Sequence, residues 1–137
     1  MLKPATTWFA QRGWDVSPFQ RAAWEAFLAG KDGLIHSPTG SGKTLAAIVG
    51  PLLERLADPE SSEDTDPIRV IWITPLRALA SDTAAALREA VEALGVPFSV
   101  ALRTGDTSSA EKTKQRKKLP SILVTTPESL TLLLTHQ

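Results

Sequence analysis

Ser37-Pro38-Thr39-Gly40-Ser41-Gly42-Lys43-Thr44 is the stretch on which the reading of this chain turns. The short apolar run Gly33-Leu34-Ile35-His36 precedes it and predicts a strand, and a helix-periodic segment begins at Leu45. Strand, glycine-rich loop and helix, in that order, make such a string a phosphate site rather than a surface linker. Two glycines let the backbone curl so that successive N–H groups face one ligand. The helix start adds unpaired N–H groups and the positive end of the helix dipole. Lys43 is placed to reach the β- and γ-phosphates of a nucleotide, and Thr44 to set its hydroxyl on Mg²⁺. Ser37 stands at the first position, where the general pattern has glycine.

Bulk composition narrows the function classes. The 137 residues suffice for one domain and one core, and a hydrophobic content of 42% predicts a folded chain. Lysine plus arginine equals aspartate plus glutamate, 15 against 15, so no global basic excess points to nucleic acid. Any such contact has to come from local placement. Absence of cysteine excludes disulfides and thiolate metal sites and fits a reducing cytoplasm. No apolar run is long enough to span a membrane, and no signal-peptide core is present. His36 and His136 are too far apart in sequence to suggest a metal constellation.

From Gly33 onward, strand and helix periods alternate with short turns between them. That alternation predicts an α/β fold with a parallel sheet and flanking helices. Upstream, residues 1–32 read as two helices. The first is capped at Thr6 or Thr7, carries Trp8 and Phe9 and ends at Gly13; the second opens at Ser17-Pro18 and stops at Gly30. Phe19, Ala23, Ala26 and Phe27 form the apolar face of the second, and Gln20 lies off it. Gly50-Pro51 is expected to bend the helix that follows the phosphate loop. Asp58 to Pro67 reads as a solvated acidic loop.

Val70-Ile71-Trp72-Ile73 predicts a strand covered on both faces, with Trp72 in the core. The helix after it is expected to bury Leu76, Leu79, Ala80, Leu87, Val91 and Leu94 and to end at Gly95. Phe98, Val100 and Leu102 alternate with more polar residues in a third strand. Ser108 and Glu111 form a capping box for a polar helix. Ile122-Leu123-Val124 is a fourth strand, and Thr126-Pro127 starts a leucine-rich helix.

Each predicted strand runs into a polar segment: Ser37 onward, Thr74-Pro75-Leu76-Arg77, Thr104-Gly105-Asp106-Thr107 and Thr126-Pro127-Glu128-Ser129. Ligands of open parallel sheets sit outside the carboxyl ends of the strands, so all four are expected on one rim. Beyond the phosphate loop they offer hydroxyls, helix-start amides and Arg77, the groups that position a nucleic-acid backbone. Lys112, Lys114, Arg116, Lys117 and Lys118 are locally basic. They read first as a solvated helix face and second as a widening of a DNA track. Among the tryptophans, Trp14 is the one worth testing as a base or adenine platform.

These motifs resemble the first RecA-like domain of superfamily 2 helicases, within them the Lhr-like DExH proteins, and best the ligase-associated DNA-repair branch of that group. Residues 37–44 resemble motif I, Thr-Pro-Leu-Arg-Ala-Leu at 74–79 motif Ia, Arg-Thr-Gly-Asp-Thr-Ser at 103–108 the glycine motif that follows, and Thr-Thr-Pro-Glu-Ser-Leu at 125–130 motif Ib. Trp14 to Gln20 resembles the upstream Q-motif region. The resemblance implies an ATP-dependent helicase of DNA repair, with residues 33–137 as a partial RecA-like domain of the P-loop NTPase class.

By the same resemblance, Gln20 reads adenine, and Ser37, Pro38, Thr39, Gly40, Ser41, Gly42, Lys43 and Thr44 hold ATP and Mg²⁺, with Lys43 and Thr44 as the catalytic contacts. Thr74, Pro75, Arg77, Thr104, Gly105, Thr126, Pro127, Glu128 and Ser129 face single-stranded DNA, with RNA as the alternative strand. The group also implies association with DNA-repair ligase or nuclease proteins.

Two alternatives stand beside it. A DEAD-box RNA helicase usually carries Pro-Thr-Arg-Glu-Leu where this chain has Thr-Pro-Leu-Arg-Ala-Leu. A non-helicase phosphate-loop module leaves the three downstream motifs unexplained. The resemblance also implies an Asp-Glu-x-His segment after a following strand, and a second RecA-like domain. Neither occurs in these 137 residues. The expectation is therefore a piece of a larger helicase that turns over little ATP by itself.

Overall fold

The computed structural model describes residues 1–38, 40, 42–59 and 68–135; Thr39, Ser41, His136 and most of the acidic loop lie outside the described residues. The chain forms two compact units, Met1–Ser62 with Glu89–Val96, and Glu63–Arg88 with Pro97–Gln137.

In the first unit, α1 (Lys3–Gln11) begins earlier than Thr6. Pro4 sits in its first turn, where a fixed φ and a missing N–H cost nothing. Thr6 is therefore inside the helix, and its hydroxyl bonds back to the Lys3 carbonyl at 3.0 Å. Ser17 in extended conformation and Pro18 start α2 (Pro18–Leu28) as expected. Phe9 joins the two helices edge-on, with ring centroids 5.5 Å from Trp14 and 5.4 Å from Trp24. Trp14 is thus part of an aromatic cluster, and the Arg12 guanidinium lies 5.2 Å from its ring centroid.

The buried positions of α2 are Gln20 and Trp24, one turn apart, rather than the stripe at Phe19, Ala23, Ala26 and Phe27, which is half-buried. Hydrogen bonding decides this choice. Trp24 Nε1 donates to the Leu45 carbonyl at 3.0 Å, which ties α2 to α3 (Lys43–Ala57). The half-buried stripe lines an open groove of about 600 Å³ shared with residues 31–36 and Ala46–Ala47.

α3 runs unbroken through Pro51 and buries Ile48, Val49, Leu52 and Leu53. Gly50 has a packing role here: a Cβ at this position would lie 2.9 Å from Phe27 Cβ. The helices approach too closely for a methyl group. Gly50→Ala is expected to destabilise by about 1–2 kcal/mol, since overpacking costs about 1–3 and better helix propensity returns at most about 1. A urea midpoint above wild type would show that propensity wins.

Gly33–His36 is not a strand in the structure, and Leu34 is 93% exposed. The reason is a missing ladder. All strands among the described residues belong to the second unit, so this apolar run finds no strand to pair with in its own unit.

The second unit is a three-stranded parallel sheet of order β1-β3-β2: β1 (Val70–Ile73), β3 (Ile122–Thr125), β2 (Val100–Arg103). Leu123 sits opposite both Ile71 and Ala101. Its helices are α4 (Arg77–Leu94, of which the part to Arg88 lies in this unit), α5 (Ser109–Lys117) and α6 (Pro127–Thr135). Central β3 is buried throughout. Edge strand β1 is not covered on both faces as expected: Ile71 and Ile73 are about half exposed and Trp72 is half-buried. Leu76 and Leu79 of the next segment are likewise exposed, whereas Ala80, Ala84 and Leu87 take the buried face of α4. The Ser108 cap is formed as expected, its hydroxyl accepting from the Glu111 N–H at 3.1 Å.

Candidate nucleotide and nucleic-acid sites

The glycine-rich loop at residues 37–44 belongs to the first unit. Gly40 and Gly42 have φ of +81° and +92°, the left-handed conformation that lets this loop curl and that side chains disfavour. Gly42 caps α3, so the amides of the first helical turn open toward the loop. Lys43 is exposed, Thr44 is half-buried, and no carboxylate pairs with Lys43 among the described residues. A lysine, a hydroxyl and helix-start amides at one point form a donor set matched to a triphosphate. Thr44 supplies one oxygen of the kind Mg²⁺ takes alongside phosphate oxygens and water.

Gln20 meets this loop directly. Its side chain is buried, with Oε1 accepting from the Ser17 N–H at 2.9 Å and Nε2 donating to the Gly42 carbonyl at 3.1 Å. The same carbonyl accepts from the Ala46 N–H at 3.1 Å. Gln20 therefore fixes the start of α2 and the end of the loop with one carboxamide. Sequence reasoning singled out Gln20 and missed this geometry. The Ser17–Gln20 spacing of a capping box was the available signal.

The other three motifs share a rim, the carboxyl edge of the sheet in the second unit. The Thr74 N–H donates to Thr125 O at 3.0 Å, and Thr125 Oγ1 donates to Arg103 O at 2.7 Å, so the strand ends are stitched together. Thr74, Thr104, Thr126 and Ser129 are buried. The hydroxyls of three of these work within the rim. Thr104 Oγ1 accepts from the Asp106 N–H at 3.2 Å, and Thr126 Oγ1 bonds Ser129 Oγ at 3.2 Å while capping α6.

What remains outward is Pro75, Arg77, Gly105, Asp106, Pro127 and Glu128. Arg77 lies across Gly105, where a Cβ would come within 2.5 Å of its guanidinium. Its Nη1 is 3.3 Å from Asp106 Oδ1, with both side chains largely exposed. An exposed pair of this kind holds on the order of 0–1 kcal/mol. The guanidinium is aimed yet easily transferred to a phosphate. Asp106 was not among the expected site residues, although it sits in the Thr-Gly-Asp-Thr turn.

Residues 17–137 match the model of the DEAD/DEAH box helicase family. The chain belongs to that family. This helicase-family chain is 38% identical over 142 residues to the ATP-dependent helicase Lhr-Core of Methanocaldococcus jannaschii, covering 96% of itself and 17% of that protein. It is 38% identical over 138 residues to the Lhr helicase/probable uracil glycosylase of Mycolicibacterium smegmatis, covering 93% of itself and 9% of that protein.

Among solved structures it resembles the Mycobacterium smegmatis helicase Lhr bound to ssDNA and AMP-PNP, with a TM-score of 0.77 and 34% identity over 96% of this chain and 18% of that one. The chain thus spans less than a fifth of the length of these relatives. The α/β class with a parallel sheet and flanking helices, and the Lhr-like resemblance, are both borne out.

Proposed function

We propose that this chain supplies an ATP-binding segment of an ATP-dependent helicase that moves on single-stranded DNA in DNA repair. The observation that carries the reading is the left-handed Gly40 and Gly42 backbone, with exposed Lys43 on the first turn of α3. The bound ligands of the Mycobacterium smegmatis structure, ssDNA and AMP-PNP, support it by likeness. In this reading residues 1–32 hold the Q-like region and 33–137 form a partial ATP-binding domain.

Ser37 to Thr44 take the triphosphate, Lys43 neutralises its end, and Thr44 places Mg²⁺. Adenine reading by Gln20 would use the second lone pair of Oε1 and the second N–H of Nε2, which its bonds to Ser17 and Gly42 do not occupy. Thr74, Pro75, Arg77, Thr104, Gly105, Thr126, Pro127, Glu128 and Ser129 form the strand-facing rim. Arg77 and the exposed turns make contact, and the buried hydroxyls hold the rim's shape. Glu128 at the start of α6 complements the helix dipole. No helix of the described residues is long and apolar enough to cross a membrane. We place the protein in the cytoplasm, alongside repair ligase or nuclease partners.

The test is fluorescence anisotropy of a labelled oligothymidylate. Arg77→Ala is expected to weaken binding about tenfold and to lower the salt slope by about 0.7, the share of one phosphate on a single strand. Binding by the variant with unchanged affinity and slope would remove Arg77 from the contact. Competition with oligouridylate separates a DNA enzyme from an RNA one. ATP turnover by the 137-residue chain is expected at background; a Lys43-dependent, DNA-stimulated rate would contradict that.

A further inference from the structure

We propose that Arg103, Lys112 and Arg116 form a phosphate-binding position beside the rim, which carries a single nucleic-acid strand from the Thr104–Asp106 turn onto α5. It rests on the reading of the rim as a single-strand surface and extends that surface from Arg103, the first residue of the glycine motif, onto α5, outside the motifs.

The placement follows from one hydrogen bond. β2 is an edge strand, and its Leu102 carbonyl points outward, where the buried Gln115 of α5 donates to it through Nε2 at 3.0 Å. Leu102 and Gln115 are each followed by an arginine. The bond therefore fixes the register of helix against strand so that Arg103 and Arg116 lie near each other. Lys112, one turn before Arg116, falls on the same flank of α5.

Arg103 of β2 and Arg116 of α5 are thus brought together, with Lys112 on the same helix flank as Arg116, and no carboxylate pairs with any of the three among the described residues. Burial, and after it the neighbouring Arg116 charge, lower the pKa of Arg103 below its ordinary value. Like charges held together without a counter-charge are relieved by an anion, and guanidinium groups suit the oxygens of a phosphodiester. Arg103 directly precedes Thr104 and Gly105, so a strand lying on the rim reaches this position without leaving the surface.

A merely solvated helix face is the alternative, and it makes a different prediction. Lys114 lies on the flank of α5 away from Arg116, Lys117 lies on the face away from Gln115, and both are exposed. They provide a charge-matched control. The experiment is salt-dependent anisotropy of a labelled oligothymidylate with the wild-type chain and three variants: Arg103→Gln/Arg116→Gln, Lys114→Gln/Lys117→Gln, and Arg77→Ala.

The arginine double variant is expected to lower the salt slope by about 1.4, two phosphates' share, with a loss of affinity of about tenfold or more, while the lysine pair moves the slope by less than half as much. The exposed single variant Arg116→Gln, expected to lose about 0.7, covers the case in which Arg103→Gln impairs folding. Equal losses from the two pairs would reduce the effect to diffuse charge and overturn the proposal. An arginine pair that binds like wild type while Arg77→Ala weakens would overturn it and leave the rim standing. No binding by folded wild type would overturn both.

Discussion

Lys43→Ala is expected to weaken binding of Mg·ATP about 10- to 100-fold, the worth of a charge-assisted hydrogen bond to phosphate of about 1.5–3 kcal/mol. The same substitution should leave the unfolding midpoint almost unchanged. Lys43 is exposed, pairs with no carboxylate among the described residues, and follows the left-handed Gly42 cap. Surface replacements of this kind shift stability by about ±0.5 kcal/mol or less. Titration calorimetry and urea unfolding on the same preparation separate the two effects. Equal ATP affinity in both proteins would remove the lysine from the site, and a large stability loss would mean that it acts through folding.

Gly42→Ala is expected to do the reverse, damaging the fold and the loop together. Its φ of +92° strains any side chain, and the new Cβ would meet Gln20 Nε2 at 2.4 Å. Backbone strain contributes about 1–3 kcal/mol and loss of the buried amide's partner about 1–3 more, so the expected cost is about 2–6 kcal/mol. Domains are stable by only about 5–15 kcal/mol, so the variant should be visibly less stable in urea. A double-mutant cycle isolates the contact. With Gln20→Ala in the background the collision is gone, and the two losses should add to less than their sum. Full additivity, or a wild-type midpoint for Gly42→Ala, would show that the amide and the loop are not coupled.

Local signals in the sequence located most elements. Proline after serine or threonine placed the starts of α2 and α6, and the Ser108–Glu111 spacing placed α5. What failed depended on partners that local patterns do not contain. The Gly33–His36 run has the composition of a strand but finds no neighbour to pair with in its unit. β1 reads as a doubly covered strand, yet it lies at the sheet edge with Ile71 and Ile73 half exposed.

At the candidate sites, residue type was legible and direction was not. The threonines of the rim motifs were expected to face a strand, but Thr104 and Thr126 turn their hydroxyls into the turn and cap that shape it. Gln20 was singled out, but its two backbone partners became visible only when α2 and the loop were placed together. Gly50 read as a bend, and its close approach to Phe27 became visible only with α2 and α3 packed together.

The central claim is that the backbone amides around Gly40 to Thr44 hold the phosphate tail of a nucleotide. The direct measurement is an amide correlation spectrum of the folded, isotopically labelled chain titrated with Mg·AMP-PNP. The amides of Gly40, Gly42, Lys43 and Thr44 should shift first and furthest, saturating together, with the α6 amides unmoved. Shifts spread over unrelated surface residues, or none in these four amides at saturating nucleotide, would contradict the account.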